Sequence, residues 1–293
     1  MRHALLVSCL TGILACTPAA PLHSARPDAV ADHVVLIVVD GLRPDAIAAA
    51  GAAQLARLMD AGAFSMSARA LGTPETLPSL VTVVTGLAEH GVDWNDDRGP
   101  PLSLPTVFTR VHEAGGRSAL YVGKSKLRLL APAGMPEVVH GPDPGNRRWA
   151  AGAGATLAAA FAREFPERRF DLALVHLREP DYVGHDAGWM SPAYLDAVRA
   201  SDRAVGEILR AVRDSGMADR TRVLLTSDHG GEGTRHWSRS EVSWIVPWIC
   251  APAAVRGTIG TPVTLQDVAP TVLGLLGLPA LPAPQGRPIK ECL

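Results

Sequence analysis

The stretch "HVVLIVVD", residues 33–40, decides the fold. From Val34 to Val39 every residue is apolar, and most are β-branched. A strand of this kind cannot show a face to water, so it is covered on both sides, as in parallel sheets. The run stops on Asp40 and Gly41. "FDLALVHL" (170–177) and "RVLLTSD" (222–228) repeat the pattern, and "RSALYVG" (117–123) reads as a further strand. Helical stretches lie between them. "LPSLVTVVTGL" (77–87) opens with Pro78, "TVFTRVHEAGG" (106–116) closes at Gly115, and "GATLAAAFAREF" (154–165) precedes the strand at 170. In "SPAYLDAVRASDRAVGEILRAVRDSG" (191–216), Ser191 caps, Pro192 occupies the first turn and Gly216 ends the helix. Leu195, Val198, Val205, Ile208, Leu209 and Val212 give it one apolar face. "LQDVAPTVLGLLG" (265–277) is a last helix stopped by Gly277. This alternation predicts an α/β fold, a mostly parallel central sheet with helices on both faces. No repeat or second boundary interrupts it, so one domain is expected over 32–293. The Pro/Gly-rich stretch 131–148 reads as an excursion near a pocket.

The bulk composition suits such a domain. With 47% hydrophobic and 19% charged residues, the 293-residue chain has ample material for a core. A net charge of −1, without a basic run, gives no electrostatic footprint for nucleic acid. At the start, Arg2 and His3 precede "ALLVSCLTGILAC" (4–16), an apolar run too short to span a bilayer. That pattern predicts a secretory signal. "ILAC" resembles a bacterial lipoprotein processing site, which implies a signal over 1–15, cleavage before a lipidated Cys16, and a flexible linker over 16–31. The protein would then be exported to the periplasm and held at the membrane only by lipid. Leu14 is bulky for that position, so plain secretion with cleavage within 16–25 stays open. Of four cysteines, Cys9 and Cys16 fall in this segment; Cys250 and Cys292 remain, and an oxidising compartment permits a disulfide between them.

In open α/β sheets, sites lie beyond the carboxyl ends of strands. Three strands here end on candidate ligands: Asp40; Asp181 and His185; and Asp228 and His229, with His236 shortly after. Asp181 and His185 stand four apart, so both can reach one ion from a loop or a helical turn. Singly, each residue would pass as a solvated acid or a satisfied histidine. Together the six imply a metal site of mixed imidazole and carboxylate ligands, the set that Zn²⁺ takes.

The motifs "VVDG" (38–41), "TLPSLVTVVTGL" (76–87), "PDYVGH" (180–185), "SDHGG" (227–231) and "RHW" (235–237) resemble the alkaline phosphatase superfamily. Within it the chain is similar to the type I phosphodiesterase / nucleotide pyrophosphatase branch, from about residue 33 to the last helix. The resemblance implies an alkaline-phosphatase-like fold and two zinc ions. Asp181, His185 and His236 would hold one ion, and Asp40, Thr76, Asp228 and His229 the other. Mn²⁺ and Co²⁺ are acceptable substitutes in such ligand sets. It also implies that Thr76 is the nucleophile of a double displacement on a small phosphoryl substrate, passing through a phospho-threonine. The helix following Thr76 would offer free N–H groups and a positive dipole end to the phosphate. A sulfatase is disfavoured, because Thr76 stands where those enzymes need Cys or Ser and Leu80 where they carry Arg.

Two departures bear on substrate. The branch usually reads Thr-Phe-Pro-Asn, whereas this chain reads Thr76-Leu77-Pro78-Ser79. Ser79 donates over a shorter reach, and Asn95 in "HGVDWN" resembles another family Asn that could replace it. "GKSKLRLL" (123–130) resembles the Lys-x-Lys-Leu stretch of phosphonoacetate hydrolases, in which lysines bind substrate anions; Lys124 and Lys126 would do so here. Tyr182, Trp189, Trp94 and Trp237 flank the motifs and read as packing or as stacking surfaces. The expected activity is a phosphodiesterase. A phosphonate hydrolase, a phosphomonoesterase and a non-catalytic envelope binding protein are the alternatives.

Overall fold

The computed structural model describes residues 26–132, 134–141, 152–236 and 240–293. Its strands are β1 (His33–Val39), β2 (Ala63–Arg69), β3 (Ser118–Val122), β4 (Val138–His140), β5 (Leu172–Leu177), β6 (Thr221–Thr226), β7 (Ile245–Ala251) and β8 (Gly257–Thr258). The helices are α1 (Pro44–Ala50), α2 (Ala53–Ala61), α3 (Thr76–Thr85), α4 (Val107–Glu113), α5 (Ala153–Arg168), α6 (Glu179–Ala187), α7 (Pro192–Asp214) and α8 (Val268–Leu275). The strands form one sheet in the order β4-β3-β5-β1-β6-β7-β2-β8. Five of its seven pairings are parallel; β7 runs antiparallel to both β6 and β2.

The alternation of β1 explains the two layers. Val34, Leu36 and Val38 belong to the core under α3, α4 and α8, while Val35, Ile37 and Val39 belong to the core under α1, α2, α5 and α7. All seven residues of β1 are buried, as expected of a strand with helices on both faces. Ser191 caps α7 by accepting a hydrogen bond from the Tyr194 N–H, with Pro192 in the first turn. The last helix differs from the expectation: Leu265–Asp267 form a 3₁₀ turn, and α-geometry begins at Val268. There Asp267 and Thr264 bond reciprocally, which tightens the entry.

The parallel register carries the site. Val38 lies opposite His176 in β5 and Thr226 in β6. Asp40 and Asp228 each stand two residues beyond those partners, so both carboxylates leave the sheet at one level. Asp181 sits in the first turn of α6, four residues beyond the end of β5.

The signal over 1–15, Cys16 and the stretch 142–148 lie outside the described residues. Of the expected linker, residues 26–31 are described and lie against the fold. Arg26 pairs with buried Asp171 at 2.7 Å, and Val30 and Ala31 donate to the Leu275 carbonyl. Among the described residues, no helix is long and apolar enough to cross a membrane.

Candidate metal centre

Three imidazoles at the carboxyl end of the sheet are held in one way. His185 Nδ1 lies 3.0 Å from the Thr234 carbonyl, His229 Nδ1 2.9 Å from the Gly230 carbonyl, and His236 Nδ1 2.5 Å from the Pro74 carbonyl. A carbonyl only accepts, so each Nδ1 carries the proton and each neutral ring keeps its lone pair on Nε2. Those lone pairs face carboxylates. His185 Nε2 is 3.4 Å and His236 Nε2 3.9 Å from Asp181 Oδ1. His229 Nε2 is 3.5 Å from both Asp40 Oδ1 and Asp228 Oδ2. Lone pairs aimed at anionic oxygens repel unless a cation lies between them. A tetrahedral ion with bonds of 2.0–2.2 Å has donor–donor edges of about 3.4 Å, close to these separations.

The carboxylates tell the same story from the other side. Asp40 and Asp228 are fully buried and Asp181 is nearly so. Asp228 Oδ1 accepts from the N–H groups of Gly41 and His229 at 3.1 Å, while Oδ2 has no hydrogen-bond partner. Asp40 Oδ1, Asp181 Oδ1 and His229 Nε2 are likewise buried without one. Such atoms are costly to bury unless they coordinate a metal. The residues therefore fit two ions. Asp181, His185 and His236 form one group. Asp40 anchors the other: it groups with Asp181 and His229 and with His176 and Asp228, and His229 Nε2 lies 3.5 Å from an oxygen of both Asp40 and Asp228.

Without metal, the electrostatics favour the ligand forms of His236 and Asp181 and favour a proton on Asp228 and His185, where an ion would have to displace it. Burial, reinforced by His229, pushes the His236 imidazole down to about 3, so it is neutral at physiological pH. For Asp228, burial and then Asp40 raise the carboxyl. Burial also works upward on Asp181, but Lys124, His185 and His229 outweigh it and hold that carboxyl well below its usual range. The hydrogen bond to Asp181 raises His185.

Thr76 is the first residue of α3 and is 1% exposed. Its Oγ1 accepts from Lys124 Nζ at 2.8 Å. The same ammonium lies 2.6 Å from Asp40 Oδ2 and 2.7 Å from Asp181 Oδ2, and so touches one carboxylate of each metal group. Asn95 Oδ1 accepts from the Leu77 N–H at 3.0 Å and from Lys126 Nζ at 2.5 Å, which leaves its NH₂ as the unspent donor beside Thr76. Lys126 has no carboxylate partner among the described residues; burial, then Lys124, lowers it to about 8. Ser79 donates its hydroxyl to the Thr73 carbonyl at 3.2 Å.

Sequence reading missed His176, the one polar side chain in β5, fully buried with Nε2 3.0 Å from Asp40 Oδ2. The parallel pairing with β1 was the signal that could have found it. The glycines after His229 also have a different reason from simple flexibility. A Cβ on Gly230 would sit 2.0 Å from the Val242 carbonyl, and one on Gly231 2.3 Å from the Trp189 ring. The reversal that returns His236 is made by Glu232 and Arg235, whose backbones bond to each other across Gly233 at φ +55. Trp189 is buried and donates to the Gly41 carbonyl, so it packs the site. Tyr182 is half exposed under the Arg178 guanidinium, Trp94 packs against the core, and Trp237 lies outside the described residues. Cys250 and Cys292 are buried free thiols; their mutual hydrogen bond, then burial, raises the Cys292 thiol.

Gly41 gives a sharp mutational test. Its φ is +70, and a Cβ would stand 2.9 Å from the Asp181 Cα. Gly41→Ala combines left-handed strain of about 1–2 kcal/mol with overpacking of about 1–3 kcal/mol. A destabilisation of roughly 2–4 kcal/mol is expected in urea unfolding. A change within about 0.5 kcal/mol, the ordinary surface range, would refute the close approach.

A family model described as Type I phosphodiesterase / nucleotide pyrophosphatase matches residues 34–114 and 132–243. A 2,3-bisphosphoglycerate-independent phosphoglycerate mutase of Desulforudis audaxviator (strain MP104C) is 35% identical over 125 residues, 40% of this chain and 23% of that protein. Human ectonucleotide pyrophosphatase/phosphodiesterase family member 7 is 38% identical over 66 residues, 22% of this chain and 14% of that protein. The alignments thus span about a quarter or less of these curated relatives. Among solved structures, murine ectonucleotide pyrophosphatase / phosphodiesterase 5, as an inactive threonine-to-alanine variant in complex with AMP, superposes with a TM-score of 0.70 at 15% identity. That match covers 86% of this chain and 96% of the murine one. A phosphonate monoester hydrolase from Silicibacter pomeroyi gives 0.67 at 16% identity, covering 88% of this chain and 76% of its own. These likenesses establish the alkaline-phosphatase-like fold.

Proposed function

The chain belongs to the type I phosphodiesterase / nucleotide pyrophosphatase family, and on that premise we propose that it hydrolyses phosphoric esters, phosphodiesters first. One observation carries the reading: three imidazole lone pairs converge with three buried carboxylates beside a buried threonine hydroxyl. Asp181, His185 and His236 hold one zinc ion; Asp40, Asp228 and His229, with Thr76 Oγ1, hold the other. When bound, the ions supply positive charge that favours the Thr76 alkoxide and neutralises the phosphoryl group.

The chain's own groups do the rest. Thr76 Oγ1 attacks phosphorus, the P–O bond to the alcohol breaks, and the alcohol leaves with a proton. Water then cleaves the phospho-threonine, releasing phosphate or its monoester and restoring the hydroxyl. Asn95 offers its NH₂ to a phosphoryl oxygen, since both other contacts fall on Oδ1. The inactivity of the murine relative whose threonine is replaced by alanine supports a nucleophilic threonine. The AMP bound in that relative supports a small phosphoryl substrate.

A second reading rests on Lys126. An ammonium without a carboxylate partner, beside Lys124, suits a substrate with a second anionic group, as in a phosphonate such as phosphonoacetate. Parallel hydrolysis of bis-p-nitrophenyl phosphate, p-nitrophenyl phosphate and phosphonoacetate, before and after metal stripping and zinc return, separates the readings. The diester is expected to turn over fastest, and only with metal. Preference for phosphonoacetate would transfer the assignment to the phosphonate class. Zinc binding without turnover would favour a binding protein. The N-terminal pattern supports export as a lipoprotein through Cys16, where oxidation could join Cys250 and Cys292.

A further inference from the structure

We infer that His176 is a positioning residue for Asp40, an inference that rests on Asp40 being a ligand of the ion shared with Asp228 and His229. The two oxygens of Asp40 face different partners. Oδ1 lies 3.5 Å from His229 Nε2, on the side where the ion is held. Oδ2 lies 3.0 Å from His176 Nε2 and 2.6 Å from Lys124 Nζ. A carboxylate that binds an ion through one oxygen needs a donor on the other to stop it rotating.

The tautomer of His176 distinguishes it from the three ligating imidazoles. Their Nδ1 atoms rest on carbonyls, which puts the lone pair of a neutral ring on Nε2. His176 Nδ1 has no hydrogen-bond partner, and its Nε2 faces a carboxylate oxygen. The single proton of a neutral ring therefore belongs on Nε2, which makes His176 a donor to Asp40. The present contact is short but off the line of a finished hydrogen bond, so both nitrogens are buried and unsatisfied. A rotation of the ring completes it.

Lys124 cannot hold this oxygen alone. Its ammonium is shared among Asp40, Asp181 and Thr76, and two dications, once bound, would repel it. The His176 Nε2–H, 3.0 Å from Oδ2, would keep that oxygen fixed after loading. The same charge count disfavours a third dication between Asp40, His176 and Asp228, although their donor atoms lie within 4.8 Å of one another.

The test uses full-length protein with His176→Phe, which keeps a buried ring, and His176→Gln, whose amide N–H can replace the Nε2 proton. Zinc affinity is read by competition with a chelator. In the Co²⁺ form, exchangeable hyperfine-shifted N–H proton resonances count the coordinated histidines. Three such resonances are expected in wild type and in both variants. One of the two zinc affinities should fall about 10–100-fold in His176→Phe and recover substantially in His176→Gln. Unchanged affinity in the Phe variant would overturn the positioning role. A fourth resonance in wild type, or a third bound ion, would make His176 a ligand and overturn it equally. Failure of wild type to bind any metal would bring down the two-ion reading itself. Should His176→Phe not fold, His176→Leu takes its place as the variant without an N–H donor, with the same expected loss and the same overturning result.

Discussion

Thr76→Ala is expected to lower phosphodiester turnover on the order of 10⁴-fold or more, and to abolish phosphoryl transfer to the chain. Thr76 Oγ1 is a buried hydroxyl bonded to a lysine that also contacts Asp40 and Asp181, a carboxylate of each metal group. Removing it takes away the hydroxyl but not the Asp and His side chains that would hold the ions, so the residual rate, read beside the metal content of the variant, reports what the loaded site achieves with water alone. Steady-state turnover measures the first effect. Intact mass after a rapid acid quench measures the second, because the trapped enzyme gains one phosphoryl group still carrying the remaining ester of the diester. Thr76→Ser keeps a hydroxyl at the same place and should still become phosphorylated. If Thr76→Ala retains a tenth of wild-type turnover, water is the nucleophile and the double displacement is wrong.

Asp228→Asn is expected to remove one of two bound zinc ions and to lower turnover by roughly 10³-fold, through loss of metal charge at the nucleophile. The amide oxygen can still accept from the Gly41 and His229 N–H groups, so the loop keeps its shape. The lost negative charge is on the side that had no hydrogen-bond partner. Elemental analysis gives the metal content, and two tightly held ions in the variant would refute the ligand assignment. Acid acts on the other ion with a defined sign. Asp181 raises His185 above its ordinary value of 6.5 in the metal-free site. As pH falls through that raised value, the proton competes for Nε2, so metal retention there declines on acidification. Zinc retention measured from pH 8 to 5 should fall towards the acid end; a flat profile would remove His185 from the set.

The sheet's parallel half and the ligand-bearing ends of its strands could be read directly. Uninterrupted apolar runs leave one structural choice, and Asp40 and Asp228 stand at or just past the points where those runs end. The long helix was equally plain, because Ser191, Pro192 and Gly216 punctuate a periodic face. The antiparallel β7 escaped, since "IVPWICA" carries Pro247, a residue that argues against an interior strand. Its neighbour β2, "AFSMSAR", mixes buried and half-buried positions without clean alternation. Lys124 read as a substrate contact because spacing says nothing about which carboxylates a long side chain reaches. His176 was hidden for a related reason: its meaning lies in its pairing with Val38, which is a fact of register.

The three metal-facing imidazoles are oriented by the carbonyls of Thr234, Gly230 and Pro74. Metal-binding histidines elsewhere are often steered by a carboxylate side chain, which a single codon change can delete. Here the steering atoms belong to the main chain, so no point substitution removes them without moving the backbone. Side chains around the pocket are correspondingly free to vary under selection while the imidazoles stay aimed. The consequence is evolutionary: neighbouring side chains can change while the main chain keeps the three imidazoles aimed.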